Sequence, residues 1–262
     1  MGLAIGMSSV LVTGSTGGIG LETARTLAGM GHRVVVHARD GRRAADARAA
    51  VPQAAAIVVG DLGSLEETRA LAVAADREGP YDSVIHNAGV GGTARRETTA
   101  DGLERIFQVN VVAPYLLTAL MARPARLVYL TSGMQAQGRI DLDDLQHARG
   151  RWDGEQAYSD SKLCDLLLAF AVARHWPEVR SNAVDPGWIR TRMGGPAAPD
   201  PLPLGAETPV WLAVSDDPGA RVSGRYFTRR RQLRANPAAG DEDLQRALLA
   251  HCAGLTGVTL RH

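Results

Sequence analysis

The chain has 262 residues, of which 45% are hydrophobic, and its 29 basic and 28 acidic side chains give a formal net charge of +1. This length fits one large α/β domain or two small ones with a sizeable buried core, and the balanced charge gives no field that would attract nucleic acid. Two cysteines are too few for a disulfide framework, and no apolar run approaches the length of a transmembrane helix.

Six short segments rich in β-branched residues alternate with longer segments rich in Ala and Leu. The short runs predict buried parallel strands and the longer segments predict helices, one of them marked by a capping box of Ser64 and Glu67. Such an alternation predicts an α/β fold: a single Rossmann-type doubly wound domain over residues 1–262, with a parallel sheet of about seven strands and helices on both faces. The six segments are SVLVT (9–13), RVVVHA (33–38), AAIVVG (55–60), DSVIHN (82–87), RLVYLT (126–131) and RSNAVD (180–185).

Polar or conformationally special residues follow each predicted strand. In open α/β sheets the ligand lies beyond the carboxyl ends of the strands, so we expect these residues to converge on a binding site. The alternative is that these residues are polar or glycine only because loops usually are. That alternative easily accounts for any one of the residues, but less well for all of them together. They are Thr13 with Gly14, Arg39, Asp61, Asn87, Ser132, and Pro186 with Gly187.

A glycine-rich segment, TGSTGGIG at residues 13–20, lies between the first strand and the first helix. Small residues allow a tight turn and close approach of the backbone to a pyrophosphate, while a helix N-terminus offers free N–H groups to the anion. The spacing is G-x-x-x-G-x-G, and the alternative is a turn with a structural role alone. The segment predicts cofactor binding by Gly14, Ser15, Thr16, Gly18, Ile19 and Gly20.

The end of the second strand, VVVHARD, bears on which dinucleotide is bound. A carboxylate there bonds the ribose 2′-hydroxyl, and a basic group accommodates a 2′-phosphate. No carboxylate precedes Arg39, so NADP(H) is favoured while NAD(H) stays possible. Asp40 has two interpretations: an exposed partner of Arg42 or Arg43, or a group that reaches the ribose itself.

Lys162 is the only lysine among the 29 basic residues, and it lies four residues after Tyr158. On a helix, side chains at i and i+4 share a face, and a nearby cation favours ionisation of a phenol. The pair is then a usable proton donor and acceptor, with Ser132 available to hold a substrate oxygen. The alternative is a surface tyrosine and a solvated lysine that survived a bias toward arginine.

These segments together resemble the short-chain dehydrogenase/reductase family over nearly the whole chain. The resemblance implies that Tyr158 is the catalytic acid/base, that Lys162 holds the nicotinamide ribose and lowers the tyrosine pKa, and that Ser132 orients the carbonyl. It also implies that Asn110 anchors a water in a proton relay and that further residues contact the cofactor, with no metal site. Those residues are Asp61 and Leu62 at the adenine, Asn87, Ala88 and Gly89 along the cofactor, and Pro186, Gly187 and Thr191 at the nicotinamide. The motifs that carry the resemblance are TGSTGGIG, GDL (60–62), HNAG (86–89), VN (109–110), TS (131–132), YSDSK (158–162) and DPGWIRT (185–191).

Within the family the chain looks most like the retinol-dehydrogenase and WW-domain-oxidoreductase branch. The similarity lies in DLGSLEETRALA, in TADGLERIFQVNVVAP and in the 26-residue gap between Ser132 and Tyr158. It implies a lipophilic aldehyde, ketone or alcohol as substrate, such as a polyketide or terpenoid. The pocket wall is expected from a mobile substrate loop at about 188–205, including Trp188 and Met193.

The resulting expectation is an NADP(H)-dependent reductase or dehydrogenase acting on a small-molecule carbonyl or alcohol. Two alternatives stay open: a non-catalytic NADP(H)-binding redox-sensing regulator, and an epimerase or dehydratase, whose members usually have a larger C-terminal region. The resemblance implies a homodimer or homotetramer, commonly formed through the helices that carry Asn110 and Tyr158. With no signal-peptide pattern in residues 1–14, we expect a cytoplasmic protein that binds neither nucleic acid nor a membrane.

Overall fold

An eight-stranded sheet organises the computed structural model, which describes residues 6–261. Residues 1–5 and His262 lie outside this range. The expectation that residues 1–14 carry no signal peptide therefore falls partly outside the described residues. The strand order is β3-β2-β1-β4-β5-β6-β7-β8, parallel throughout except for the antiparallel β7–β8 pair. The strands are β1 (Ser9–Val12), β2 (Arg33–Ala38), β3 (Ala56–Val59), β4 (Ser83–His86), β5 (Arg126–Leu130), β6 (Arg180–Val184), β7 (Tyr226–Thr228) and β8 (Arg231–Leu233).

The order of the strands confirms the predicted doubly wound α/β fold. The chain runs outward from β1 to β3, returns to β4 beside β1, and continues to the other edge of the sheet. The switch between β1 and β4 is where ligands bind in such sheets, outside the carboxyl ends of the strands. Every predicted strand segment contains an observed strand, because β-branched residues suit a strand that is buried on both faces.

Helices cover both faces of the sheet. Alternate residues of the strands point to opposite faces, so Val10 and Val12 pack in one apolar cluster and Leu11 packs in the other. Helices α1, α2 and α7 contribute to the first cluster, and α3, α5, α6 and α8 contribute to the second. The bounds are α1 (Gly18–Gly29), α2 (Gly41–Ala50), α3 (Leu65–Glu78), α4 (Arg105–Phe107), α5 (Ala113–Leu120), α6 (Gly154–His175), α7 (Leu202–Val214) and α8 (Glu242–Thr256), with a π-helical turn at Gln108–Val112 between α4 and α5.

The predicted capping box at α3 forms in part. Ser64 Oγ accepts a hydrogen bond from the N–H of Glu67 at 3.2 Å, as expected. The Glu67 carboxylate accepts instead from the N–H of Asp61 at 2.8 Å. Glu67 therefore fixes the loop after β3 to the first turn of α3.

The predicted substrate loop at 188–205 ends earlier than expected. Helix α7 already begins at Leu202, after the cap residue Pro201. Proline is tolerated in a first helical turn, where its missing N–H has no partner to lose, so the Pro-rich composition marked a helix start as well as a loop. An isolated bridge between Ile189 and Asp200 closes the remaining loop at its base.

The C-terminal helix α8 packs against the helices that the resemblance assigned to a dimer face. Leu248 and Cys252 of α8 are fully buried in the same cluster as α5 and α6, and Tyr115 Oη on α5 donates to the carbonyl of Val258 at 2.7 Å. Within α6, Glu155 and Arg174 are the only exposed residues. These helices therefore have little free surface for a second copy.

Candidate active site

A cleft of about 550 Å³ opens at the carboxyl ends of the strands, where the sequence placed the ligand. Most predicted cofactor-binding residues line it, and so do Tyr158 and Lys162. Four predicted site residues are not among the lining residues: Ser15, Asn110, Ser132 and Gly187. The predicted residues that line the cleft are Gly14, Thr16, Gly18, Ile19, Gly20, Arg39, Asp61, Leu62, Asn87, Ala88, Gly89, Tyr158, Lys162, Pro186 and Thr191.

The glycine-rich turn has the shape expected of a phosphate cradle. Gly14 and Gly18 have φ values of +63° and +55°, a conformation that favours glycine. A β-carbon on Gly14 would lie 2.7 Å from Cα of Ala88, so the turn packs directly against the segment after β4. No side chain caps the first turn of α1, which leaves its N–H groups facing the cleft end of the sheet. These features fit a bound pyrophosphate.

Ser15 lies inside this turn and does not face the cleft. It is fully buried, its Oγ donates to the carbonyl of Val12 at 2.7 Å, and its N–H donates to the carbonyl of His37. The same Oγ accepts from the N–H of His37 at 3.0 Å. Both donors of Ser15 are used within the chain, so Ser15 shapes the turn and has no free donor for a cofactor.

His37 connects three parts of the cleft, a role that the sequence did not predict. Its Nδ1 accepts from the N–H of Gly14 at 2.9 Å, and its Nε2 lies 2.8 Å from the carbonyl of Gly60. The neutral tautomer with the proton on Nε2 satisfies both contacts. Burial lowers the pKa of His37, despite the opposing effect of the Gly60 carbonyl. The only signal was a histidine within an otherwise β-branched strand.

Two arginines at the start of α2 line the cleft, Arg39 as predicted and Arg43 in addition. Of the two interpretations of Asp40, the structure favours a partner of neighbouring arginines over a group that reaches the ribose. Its Oδ1 caps α2 by accepting the N–H of Arg43 at 2.8 Å, and its Oδ2 lies 3.5 Å from Nε of Arg39. The hydrogen bond from Arg43 lowers the pKa of Asp40. Asp40 is not a lining residue, so its carboxylate serves the helix and Arg39.

The residues after β3 and β4 are fixed by hydrogen bonds of their own. Asp61 Oδ1 accepts the N–H of Gly63 at 2.8 Å. Asn87 Nδ2 donates to the carbonyls of Thr13 and Gly14, at 2.8 and 3.2 Å. The N–H groups of Asn87 and Ala88 both donate to Thr13 Oγ1 at 3.0 Å. Thr13, the first residue of the glycine-rich segment, thus joins β1 to β4.

Tyr158 and Lys162 share one face of α6, as the spacing predicted. Lys162 Nζ lies 5.7 Å from the centroid of the partly exposed Tyr158 ring. The lysine itself is only 5% exposed, and Nζ donates to the carbonyl of Leu130 at 2.9 Å and to Asp165 Oδ2 at 2.8 Å. Burial favours the neutral amine, but Asp165 and Tyr158 outweigh it and raise the pKa of Lys162. Lys162 is therefore a buried cation and not a solvated one.

Ser132 follows β5 beside α6. Thr131 Oγ1 donates to the carbonyl of Lys162 at 2.7 Å, which fixes the end of β5 to the helix that carries Tyr158. Ser132 Oγ accepts the N–H of Met134 at 3.3 Å and caps a short 3₁₀ helix, Gly133–Gln137. Because Oγ is the acceptor in this bond, its own O–H is still available to donate elsewhere. Its contact with a substrate oxygen stays a prediction.

Asn110 is buried behind the cleft, in the π-helical turn at Gln108–Val112. Its Oδ1 accepts the N–H of Val90 at 2.8 Å, and its Nδ2 donates to the carbonyl of Val90 and to Ser161 Oγ. The side chain braces the segment after β4 against α6. A β-carbon on Gly89 would lie 3.4 Å from Asn110 Oδ1 and 3.5 Å from Lys162 Nζ, so both side chains lie close to Gly89. A relay water held by Asn110 stays a prediction.

The loop after β6 passes over the glycine turn. Gly187 has a φ of +92° and its N–H donates to Asp185 Oδ1, while Thr191 Cγ2 lies 3.5 Å from a β-carbon built on Gly18. Met193, expected in the pocket wall, lines the cleft with Sδ 4.0 Å from Tyr158 Oη. Trp188 is not a lining residue and is 57% exposed. The wall at Tyr158 is thus formed by Met193.

A Rossmann-type sheet with a glycine-rich turn and a Tyr–Lys pair in one cleft is typical of a nucleotide-dependent dehydrogenase. The family model for short chain dehydrogenases matches residues 8–201. The chain is 41% identical to uncharacterized oxidoreductase AN7799 of Emericella nidulans, over 96% of this chain and 98% of that protein. It is 32% identical to human retinol dehydrogenase 13, over 95% of this chain and 85% of that protein.

A solved structure of a protein from Mycobacterium Paratuberculosis is similar over 97% of this chain and 95% of that chain, with a TM-score of 0.83 and 28% identity. This chain therefore belongs to the short-chain dehydrogenase family and is an oxidoreductase with retinol-dehydrogenase-like relatives, as the resemblance implied.

Proposed function

We propose that the protein is an NADP(H)-dependent oxidoreductase that interconverts a carbonyl and an alcohol on a lipophilic small molecule. The observation that carries this proposal is the pairing of Tyr158 with the buried Lys162 cation at the end of a cleft that begins at the glycine cradle. A hydroxyl on the cleft wall beside a fixed positive charge is suited to move a proton.

A bound nicotinamide would supply the hydride that forms the new C–H bond at the carbonyl carbon. In that direction the carbonyl π electrons pass to the oxygen, which takes the proton of Tyr158 Oη, and the phenolate then regains a proton from solvent. Ser132 would donate a hydrogen bond to the same oxygen. Lys162 has one N–H beyond the two bound by Leu130 and Asp165, and this donor would hold a ribose hydroxyl. The reverse sequence oxidises an alcohol.

The preference for NADP(H) is supported by the basic side chains at the end of β2. Arg39 and Arg43 both line the cleft, and Asp40 is held at the helix cap and beside Arg39. A 2′-phosphate would meet two guanidinium groups, each of which can donate hydrogen bonds to two phosphate oxygens at once. NAD(H) lacks this phosphate and would bind more weakly.

A lipophilic substrate is supported by the apolar wall at Tyr158. Met193 lies beside the hydroxyl, and its side chain is 57% exposed. A flexible thioether adapts to varied apolar groups. Retinol dehydrogenase 13 is named for an alcohol of this kind, and we extend that class to this protein.

Location and assembly complete the proposal. Within residues 6–261 no helix is long and apolar enough to cross a membrane. We propose a cytoplasmic protein. We also propose a homodimer or homotetramer. Because α8 covers α5 and α6, a contact between subunits on this side would include α8.

A panel of aldehydes and ketones, assayed by the absorbance of NADPH, tests the function. We expect steady NADPH consumption with at least one apolar carbonyl compound. Tyr158→Phe keeps the ring and removes the hydroxyl, so turnover should fall by roughly 100-fold or more while NADPH still binds. Wild-type turnover in this variant, with hydride transfer shown to limit the rate, would assign the proton to another residue. Binding of NADPH with no turnover across the panel would favour the regulator.

A further inference from the structure

The side chain of Asp165 is bonded to the Lys162 ammonium, and the reaction described above assigns it no part. Tyr158, Lys162 and Asp165 lie at i, i+4 and i+7 on α6, so they share one face of the helix. Asp165 Oδ2 is 2.8 Å from Lys162 Nζ, and the two side chains are 4% and 6% exposed. The ammonium therefore lies between a phenol on one side and a carboxylate on the other.

This arrangement fixes the direction of the Lys162 donors. The carbonyl of Leu130 on β5 accepts one N–H and Asp165 accepts a second. With both acceptors at normal hydrogen-bond lengths and the group buried, the ammonium cannot rotate freely. The third donor is then left for the cleft, which Lys162 lines.

The arrangement also reduces the electrostatic effect of the lysine. A cation close to a phenol favours ionisation of the phenol, and an anion bonded to that cation opposes this effect. Because Asp165 lies beyond the ammonium as seen from Tyr158, the opposition is partial.

Burial raises the pKa of Asp165 to about 6, against the opposing effect of Lys162, so its carboxylate is charged above that pH. Other titratable groups around the pair are held neutral, so they do not replace this charge. Burial raises the pKa of Tyr129 on β5 and of Cys164 on α6. Burial lowers the pKa of His86 on β4, which stacks on Tyr129, to about 3, and raises the pKa of Cys252 on α8 to about 12. Asp160, the other carboxylate close to Cys164, pairs with His147 at 3.0 Å.

We propose that Asp165 is a positioning residue of the active site: it fixes the Lys162 ammonium and offsets part of its charge, and so favours the protonated form of Tyr158, the proton donor of carbonyl reduction. The statement about reduction rests on the proposed function. The statement about the charge on Tyr158 does not, because it can be measured in the protein without substrate or cofactor.

Asp165→Asn tests the charge, because the amide keeps an acceptor for Lys162 and has nearly the same shape. The readout is the ultraviolet absorption of phenolate during a pH titration of the cofactor-free protein. Burial raises the pKa of the other four tyrosines, to about 12 for Tyr115 and higher for the rest, so these four do not obscure the phenolate signal of Tyr158. Its loss in Tyr158→Phe verifies the assignment.

We expect the midpoint of this titration to move down by about one pH unit in Asp165→Asn. A midpoint that stays or rises overturns the proposal. Asp160→Asn is the matched control, since it removes the same charge from the same helix at a carboxylate that pairs with His147. An equal shift in Asp160→Asn would show a general field effect and would also overturn it. If Asp165→Asn does not fold, as judged by circular dichroism, Asp165→Ser removes the charge with a smaller side chain and is held to the same outcomes.

The pH profile of kcat/KM for carbonyl reduction adds the catalytic readout. In Asp165→Asn the limb at high pH, where Tyr158 loses its proton, should move to lower pH with the phenolate titration. A shifted titration with no carbonyl turnover in the wild type would refute the proposed function and keep the role of Asp165. Carbonyl turnover in the wild type with an unshifted phenolate titration in Asp165→Asn would support the proposed function and refute the role of Asp165.

Discussion

Gly14 and Ala88 approach so closely that a β-carbon on Gly14 would lie 2.7 Å from Cα and 2.9 Å from Cβ of Ala88. The contact joins the turn after β1 to the segment after β4, the two strands between which the chain reverses its course across the sheet. Both backbones are held in place by Thr13 and Asn87. The position therefore requires glycine for two reasons, the positive φ and the lack of space.

Gly14→Ala should consequently destabilise the protein and abolish cofactor binding. The left-handed conformation alone costs a non-glycine residue roughly 1–2 kcal/mol, and the overlap with Ala88 adds to it. Thermal unfolding and NADPH fluorescence measure the two effects. Gly29→Ala is the control, because Gly29 lies at the far end of α1, does not line the cleft, and a β-carbon there has no neighbour within 4 Å. Equal behaviour of the two variants would contradict the close approach.

Arg39→Ala should narrow the difference in affinity between NADPH and NADH. A charged contact to the 2′-phosphate contributes about 1.5 to 3 kcal/mol, so NADPH affinity should fall by about tenfold or more while NADH affinity changes little. Arg43→Ala should act in the same direction, since Arg43 also lines the cleft. Arg42→Ala is the matched control on the exposed side of α2. Equal dissociation constants of the two cofactors in the wild type would contradict the assignment.

The sequence predicted those parts of the fold and site that depend on local pattern. The β-branched runs gave the positions of β1 to β6, and the glycine spacing gave the turn that Gly14 forms. Tyr158 and Lys162 were predicted to share a face because the helical period is fixed. Strands β7 and β8 have three residues each, joined by a turn in which Arg229 and Arg230 have positive φ, and so short a hairpin leaves no periodic signal.

The remaining parts depend on contacts between residues that are distant in the sequence. His37 serves the glycine turn only because β2 lies beside β1, and α8 covers α5 through contacts such as Tyr115 with Val258, 143 residues apart. The π-helical turn that holds Asn110 has no known local signal in its residues. The sequence shows a carboxylate three residues after Lys162. It does not show that both side chains are buried, and their burial is what brings Asp165 and Lys162 together as a pair.

Acid should weaken the fold through His86, which is buried beside Tyr129 with its pKa lowered to about 3 by burial. Its pKa in the unfolded chain is near 6.5, so the unfolded state binds the proton first. The stabilising contribution is complete above pH 6.5 and is lost as the pH falls toward 3. We expect the free energy of unfolding to decrease across this window with a component of up to about 1.4 kcal/mol per pH unit from this residue.

His86→Gln should remove that component, and urea unfolding at several pH values measures it. His147→Gln is the informative comparison, because the hydrogen bond with Asp160 raises the pKa of His147. A raised pKa gives stability that is present below pH 6.5 and lost as the pH rises, so His147 should affect the pH dependence of stability in the direction opposite to His86. The assignment to His86 fails if its substitution leaves the acid slope unchanged.

Lys162→Arg should remove most of the activity although it preserves the positive charge. The ammonium is buried between the carbonyl of Leu130 and Asp165, with Gly89 close by, and a planar guanidinium is too large for the same position. Guanidinium also cannot release a proton. As the charge moves away from Tyr158, the apparent pKa of the acid/base step in kcat/KM should rise. Circular dichroism establishes that the variant is folded, and pH profiles of both proteins then give the comparison. A variant that matches the wild type across the whole profile would mean that only the charge at position 162 matters, and that the only lysine in the chain reflects its bias toward arginine.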